Sequence, residues 1–73
     1  MAITRDDLEN WFSYHAPRPE QLVQYDAIRK AGLILATAIM SNSPASADQT
    51  AAIRKVREAV MTANAAIALK GEL

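Results

Sequence analysis

The residues of this chain best suited to chemistry stand close together near its start. Trp11-Phe12-Ser13-Tyr14-His15 puts three aromatic rings and the only imidazole within five positions, and a proline corner follows, Ala16-Pro17-Arg18-Pro19. Tyr25, Arg29 and Lys30 come next, and Arg54 and Arg57 lie further on. Aromatic rings stack on nucleobases at about 1–3 kcal/mol each, and cations pair with phosphates. Tyr14 and His15 fall past the end of a helical pattern and are the better ligand candidates. Trp11 and Phe12 share a face with Leu8 and read first as core. Tyr25 falls on an apolar stripe and reads first as packing. On residue type alone, Arg29 and Lys30 serve equally as phosphate ligands or as a solvated helix face. Arg54, Lys55, Arg57 and Glu58 read first as exposed positions beside an apolar seam.

Other chemistries find no footing. With one His and no Cys, no ligand pair stands at a zinc spacing. Asp6, Asp7 and Glu9 cluster, but acidic residues in a first turn complement the helix dipole. Ser13, Ser41, Ser43 and Ser46 lack a base other than His15 for a triad. The exposed helix carboxylates make no glycosidase pair. Gly32 and Gly71 are the only glycines, too few for a phosphate loop. The expectation is a protein that is not an enzyme and has no metal or cofactor. Eight basic side chains balance eight acidic ones, which argues against a general DNA or RNA binder.

These residues must be positioned by helices. Thr4 is an N-cap, with Asp6 and Asp7 in the first turn. Pro19 suits the first position of a second helix. Leu22, Tyr25, Ile28, Gly32, Leu35 and Ile39 form one stripe along it, and Val23, Ala27, Ala31, Ile34 and Ala38 another. Ser41-Asn42-Ser43-Pro44-Ala45 is a turn. Ser46 with Gln49 matches a capping box that opens a third helix. Along it Ile53, Val56, Val60, Ala63 and Ile67 keep a heptad-like spacing, and Gly71 suits the C′ position. The fold expected is all-α: a single domain over residues 1–73, with helices at about 4–14, 19–41 and 46–70. A short helix precedes an antiparallel two-helix hairpin. No signal peptide or membrane-spanning segment is expected. The absence of cysteine fits a reducing cytoplasm.

The hairpin carries more apolar surface than it can hide. From Ala31 to Met40 the second helix is uncharged on every side, and such a helix is normally buried all round. In a chain of 73 residues that surface has nowhere to go but against other copies. Homo-oligomerisation is therefore expected.

Three segments carry a resemblance. Trp11 to Gln21, Tyr25 to Arg29, and Glu58-Ala59-Val60-Met61-Thr62-Ala63-Asn64-Ala65-Ala66-Ile67-Ala68 resemble the type 2 anti-CBASS proteins of bacteriophages. The resemblance covers about nine-tenths of the chain in order, and its C-terminal segment is the most specific part. It implies an interlocked homohexamer in the cytoplasm of an infected bacterium. Such a protein binds cyclic dinucleotides, and often cyclic trinucleotides at separate sites, without cleaving them. A host immune effector is thereby deprived of its messenger. The resemblance assigns dinucleotide binding to Tyr14 of the corner and to Arg29, with Lys30 as the other cation, across a subunit interface; His15 joins them as a ligand candidate by its place in the corner. It assigns a second pocket to Arg54 and Arg57. Ala16 stands where such proteins commonly have Pro, and Arg18 where they have Thr. The competing expectation is a small helical module that binds another protein and no nucleotide.

Overall fold

The structure is a computed structural model, and it describes residues 2–70. All regular elements among the described residues are helices: α1, Arg5–Trp11; α2, Pro19–Asn42; α3, Ala47–Ala68. α2 spans about 36 Å at 1.5 Å per residue. Gln21 faces Ile67, Gly32 faces Val60, and Gln49 reaches Met40. The two long helices are therefore an antiparallel hairpin, closed by the short turn from Ser43 to Ser46.

The local signals explain the boundaries. At α1, Thr4 Oγ1 accepts from Asp7 N (3.2 Å), and Asp7 Oδ2 accepts from Thr4 N (2.9 Å), a complete capping box. α1 ends at Trp11, three residues before the expected boundary. Ser13 Oγ donates to Glu9 O, and His15 Nε2 lies 2.7 Å from Asn10 O, so side chains take the carbonyls that another helical turn would have used. Pro19 stands at the start of α2. Ser46 caps α3 through Gln49 N (3.2 Å). The Gln49 side chain does not close the expected box. It reaches back to Met40 O and Ser43 O and seals the end of α2 instead. α3 ends at Ala68, and Lys70 takes the left-handed conformation (φ 55°). The expected C′ residue, Gly71, lies outside the described residues.

Packing follows the α3 seam. Ile53, Val56, Val60, Ala63 and Ile67 are all half-buried against α2. The expected α2 stripe is corrected at two places. Leu22 and Leu35 are exposed, and Gln21 and Ala36 turn inward with Tyr25, Ile28, Gly32 and Ile39. Gly32 and Ala36, one turn apart on this inward face, let the helices approach closely.

The α1 face is also corrected. Leu8 and Trp11 are exposed, Phe12 is 85% exposed, and no Cα of α1 comes within 8 Å of α2 or α3. One chain offers these side chains nothing large enough to cover them.

No apolar side chain among the described residues is fully buried; the one buried residue is Gln21. Leu33 and Ile34 are 68% and 71% exposed. The accessible surface is 5958 Å², whereas a compact monomer of this mass exposes about 4,500 Å². The radius of gyration is 15.3 Å, against about 11 Å for a compact domain of this length. The hairpin is a flat, extended body, 44 × 31 × 17 Å, with its apolar faces outward.

Candidate functional site

The aromatic corner between α1 and α2 is held at both ends. His15 is tied back to α1 through Asn10 O. Gln21, 8% exposed, accepts from Arg18 N at 3.0 Å and donates from Nε2 to Ile67 O at 3.0 Å. One side chain thus fixes where the corner enters α2 and latches that entry to the far end of α3. Sequence reasoning missed Gln21. Its signal was modest, a Gln three residues into a helix behind an N-cap that has no acceptor of its own.

His15 divides two clefts. The first, about 380 Å³, lies between α2 and α3 and is lined by His15, Pro17, Leu22, Tyr25, Arg29 and Asn64. The second, about 440 Å³, lies between Trp11, Tyr14 and His15 on one side and Ala65, Ala68 and Leu69 on the other. Tyr14 stands 87% exposed at its rim. Both clefts are shallow, more open than enclosed, so one chain alone does not surround a ligand.

The structure brings His15 and Arg29 together in the first cleft and adds Tyr25, which the sequence placed among the packing residues. It does not bring Tyr14 and Arg29 together within one chain. They line different clefts, which share His15 as a lining residue. Lys30 is separated from Arg29 in role. Its Nζ lies 2.8 Å from Asp26 Oδ2, one helical turn back on an exposed face. The hydrogen bond from Lys30 holds the Asp26 carboxyl below the usual carboxylate range, and the same bond raises the Lys30 ammonium. Lys30 lines none of these clefts, and Arg29 lines two.

The second of Arg29's clefts is an apolar groove of about 240 Å³ over the Gly32–Val60 contact, with Arg29 and Arg57 among its walls. Arg57 is thus beside a concavity, and Arg54 lines none of these clefts.

Asn64 was also missed as a site residue. It is the only polar side chain between Thr62 and Lys70, in a helix segment otherwise made of Ala, Ile and Leu. Its Oδ1 is shielded from solvent and has no hydrogen-bond partner. Such an atom costs on the order of 1–3 kcal/mol.

The geometry thus offers two aromatic rings, a guanidinium and an unused carboxamide around one cleft, and an exposed tyrosine across the His15 wall from it. No group of three or more His, Cys, Asp or Glu among the described residues is placed to hold a metal ion. No helix among them is long and apolar enough to cross a membrane. The family model described as Acb2/Tad1, hairpin domain, matches residues 5–68. No curated protein and no solved structure matches the chain.

Proposed function

The chain belongs to the Acb2/Tad1 hairpin-domain family, and from that premise we propose that it is a phage sponge for cyclic oligonucleotides. It sequesters cyclic dinucleotides, and in a second pocket cyclic trinucleotides, without cleaving them, and so blocks activation of CBASS effectors in the infected cell. The observation that carries this reading is the cleft between α2 and α3, where Arg29 stands beside Tyr25 and His15. A guanidinium there pairs with a phosphodiester and the rings offer stacking surfaces. Tyr14 serves as the exposed stacking ring. It lies in a different cleft from Arg29, and the family resemblance implies that a ligand takes the two contacts from different copies of the chain. That requirement agrees with the uncovered apolar faces, and the working form is a homo-oligomer, a hexamer by family resemblance. Arg57, which lines the groove over Gly32, is assigned to the second pocket, and Arg54 is assigned there by the resemblance alone.

The test is a solution mass measurement with and without a cyclic dinucleotide, followed by heat release and chromatography of the ligand. The sponge reading expects a symmetric oligomer that binds stoichiometrically and returns the cyclic compound intact. Recovery of linear nucleotide would mean an enzyme. Tyr14→Ala should lower affinity by roughly tenfold to a hundredfold, the loss of one stacked base, with the oligomer preserved.

The exposed Leu33, Ile34 and Met40 also favour a second reading, a helical module that docks on another protein. It expects a monomer or dimer indifferent to every cyclic nucleotide, and the same mass measurement separates the two.

A further inference from the structure

The role above uses the faces of the His15 ring and leaves its edge unassigned. Nε2 lies 2.7 Å from Asn10 O, and a carbonyl only accepts, so Nε2 carries the hydrogen. The remaining ring nitrogen is Nδ1. His15 makes no other side-chain hydrogen bond among the described residues. Nδ1 is not among their shielded, unpartnered atoms, so solvent reaches it. The ring lines both clefts, and a ligand that needs a polar atom on it finds Nδ1.

In the neutral ring Nδ1 is an acceptor, and in the imidazolium it is a donor. A phosphodiester only accepts, so a bond between the two needs the protonated ring. Charge favours the same outcome. Arg29 is the one permanently charged side chain along the two clefts, and no carboxylate lines either. A phosphodiester drawn to Arg29 is therefore the first anion beside the imidazole. The bond to Asn10 O also strengthens when the ring is charged. Tyr25 on α2 and Tyr14 in the corner bring phenols, groups that titrate well above neutrality. From α3 come only Asn64, Ala65, Ala68 and, just past its end, Leu69, none of them ionisable.

We propose that His15 takes up a proton as the ligand binds and donates from Nδ1 to a phosphodiester, so that acidification tightens the hold on a cyclic dinucleotide. The inference rests on the cyclic-nucleotide reading above. An imidazole is the side chain whose charge ordinarily changes between about pH 5 and 8. A complex that holds one more proton than its separate parts gains affinity as pH falls through that range, by about tenfold per pH unit at most. A base amino group at Nδ1 acts in the opposite sense, because it needs the neutral ring and acid weakens it. The sign of the pH dependence thus tells which part of the ligand meets the ring.

The experiment is calorimetric titration of the full chain with cyclic di-AMP and cyclic di-GMP at about pH 6 and about pH 8, each in two buffers of different ionisation enthalpy. The wild type should bind roughly threefold to thirtyfold more tightly at the lower pH. Its apparent enthalpy should differ between the buffers, as proton uptake requires. His15→Gln keeps a donor for Asn10 O and has nothing to titrate, so both effects should vanish in it. NMR gives a readout that needs no variant. The chain has one histidine, and its ring signals should keep the imidazolium form to higher pH in the complex than in the free protein. Affinity that stays level or falls with acid, an enthalpy indifferent to buffer, or ring signals that the ligand leaves unmoved overturns the proposal and leaves the sponge reading standing. So does a pH dependence that persists unchanged in His15→Gln. A wild type that binds neither ligand at either pH overturns the nucleotide reading itself and this inference with it.

Discussion

Gly32 and Val60 meet so closely that a Cβ built on Gly32 would lie 2.6 Å from Val60 Cγ2. The two helices press together here, and both residues line the groove that Arg29 and Arg57 share. In an open helix, Gly→Ala gains about 1 kcal/mol of propensity. Here the added methyl must displace a short, stiff β-branched side chain, and overpacking of that kind costs about 1–3 kcal/mol. Gly32→Ala should therefore lower stability in urea melts rather than raise it. Adding Val60→Ala should recover part of the crowding loss. A single variant more stable than the wild type would mean that the helices are not pressed together here.

Gln21 should prove costlier to replace than any exposed polar residue. It joins the N-terminus of α2 to Ile67 O near the end of α3. Gln21→Ala removes both bonds and strands a half-buried carbonyl. The expected loss is about 1–3 kcal/mol, together with faster amide exchange at Arg18. Unchanged exchange at Arg18 would show that the corner is held by other means.

Much of this was legible in the sequence, for a physical reason. Thr4, Pro19 and Ser46 act through their own backbone neighbourhood, so their types alone place three helix starts. The α3 seam was legible too, because a 3-4 spacing of Ile53, Val56 and Val60 admits one inward face. What the sequence hid depends on the partner surface. The α2 face rotated to bring in Gln21 and Ala36 because Gly32 allows close approach to Val60, and only the paired helices show that. Phe12 carries a core-like pattern and lies uncovered because the pattern records what a side chain needs, not which copy supplies it. At the candidate site, Tyr14, His15 and Arg29 stood out in the sequence by residue type, and the structure sets each of them at a cleft. Asn64 was not, since an amide on a helix is ordinary until its burial and lack of a partner are seen.

Arg29 and Lys30 are adjacent in sequence and should differ sharply in binding. Lys30 is engaged with Asp26, and Arg29 lines two clefts. Arg29→Ala should cost a cyclic dinucleotide roughly tenfold to a hundredfold in affinity, the loss of a charge-assisted hydrogen bond. Lys30→Ala should change it by less than about threefold, as for an exposed ion pair. Equal losses would place both cations on the phosphate.

The Asp26–Lys30 pair has a pH signature with a definite sign. The Asp26 carboxyl titrates below its ordinary range, so the pair's contribution is present above the unfolded carboxylate value and is lost as pH falls through the lower, folded one. The Lys30 ammonium is raised, so at the alkaline end the contribution persists past the ordinary lysine value and disappears above it. Between those limits stability should not vary on this account. In Lys30→Ala, the Asp26 side-chain titration followed by NMR should move upward toward the ordinary carboxylate range. An unmoved midpoint would show that the pair does not persist in solution.

The most consequential prediction concerns concentration. A cooperative fold needs apolar side chains withdrawn from water, and this chain by itself fully withdraws none among its described residues. Its surface exceeds that of a compact monomer by about 1,500 Å², roughly twice the ~800 Å² that one partner contributes to a standard protein–protein interface. The helices should thus owe their stability to contacts between copies, and unfolding should be linked to dissociation. The melting temperature is then expected to climb with protein concentration by mass action. On dilution, helical circular dichroism and solution mass should fall together. The seam along α3 gives the control: Val56→Asp faces α2 and should unfold the chain at every concentration. Ile34→Asp, on the exposed face of α2, should mainly move the dilution midpoint upward. A monomer that melts sharply at a temperature independent of concentration would remove the reason to place the ligand site between copies.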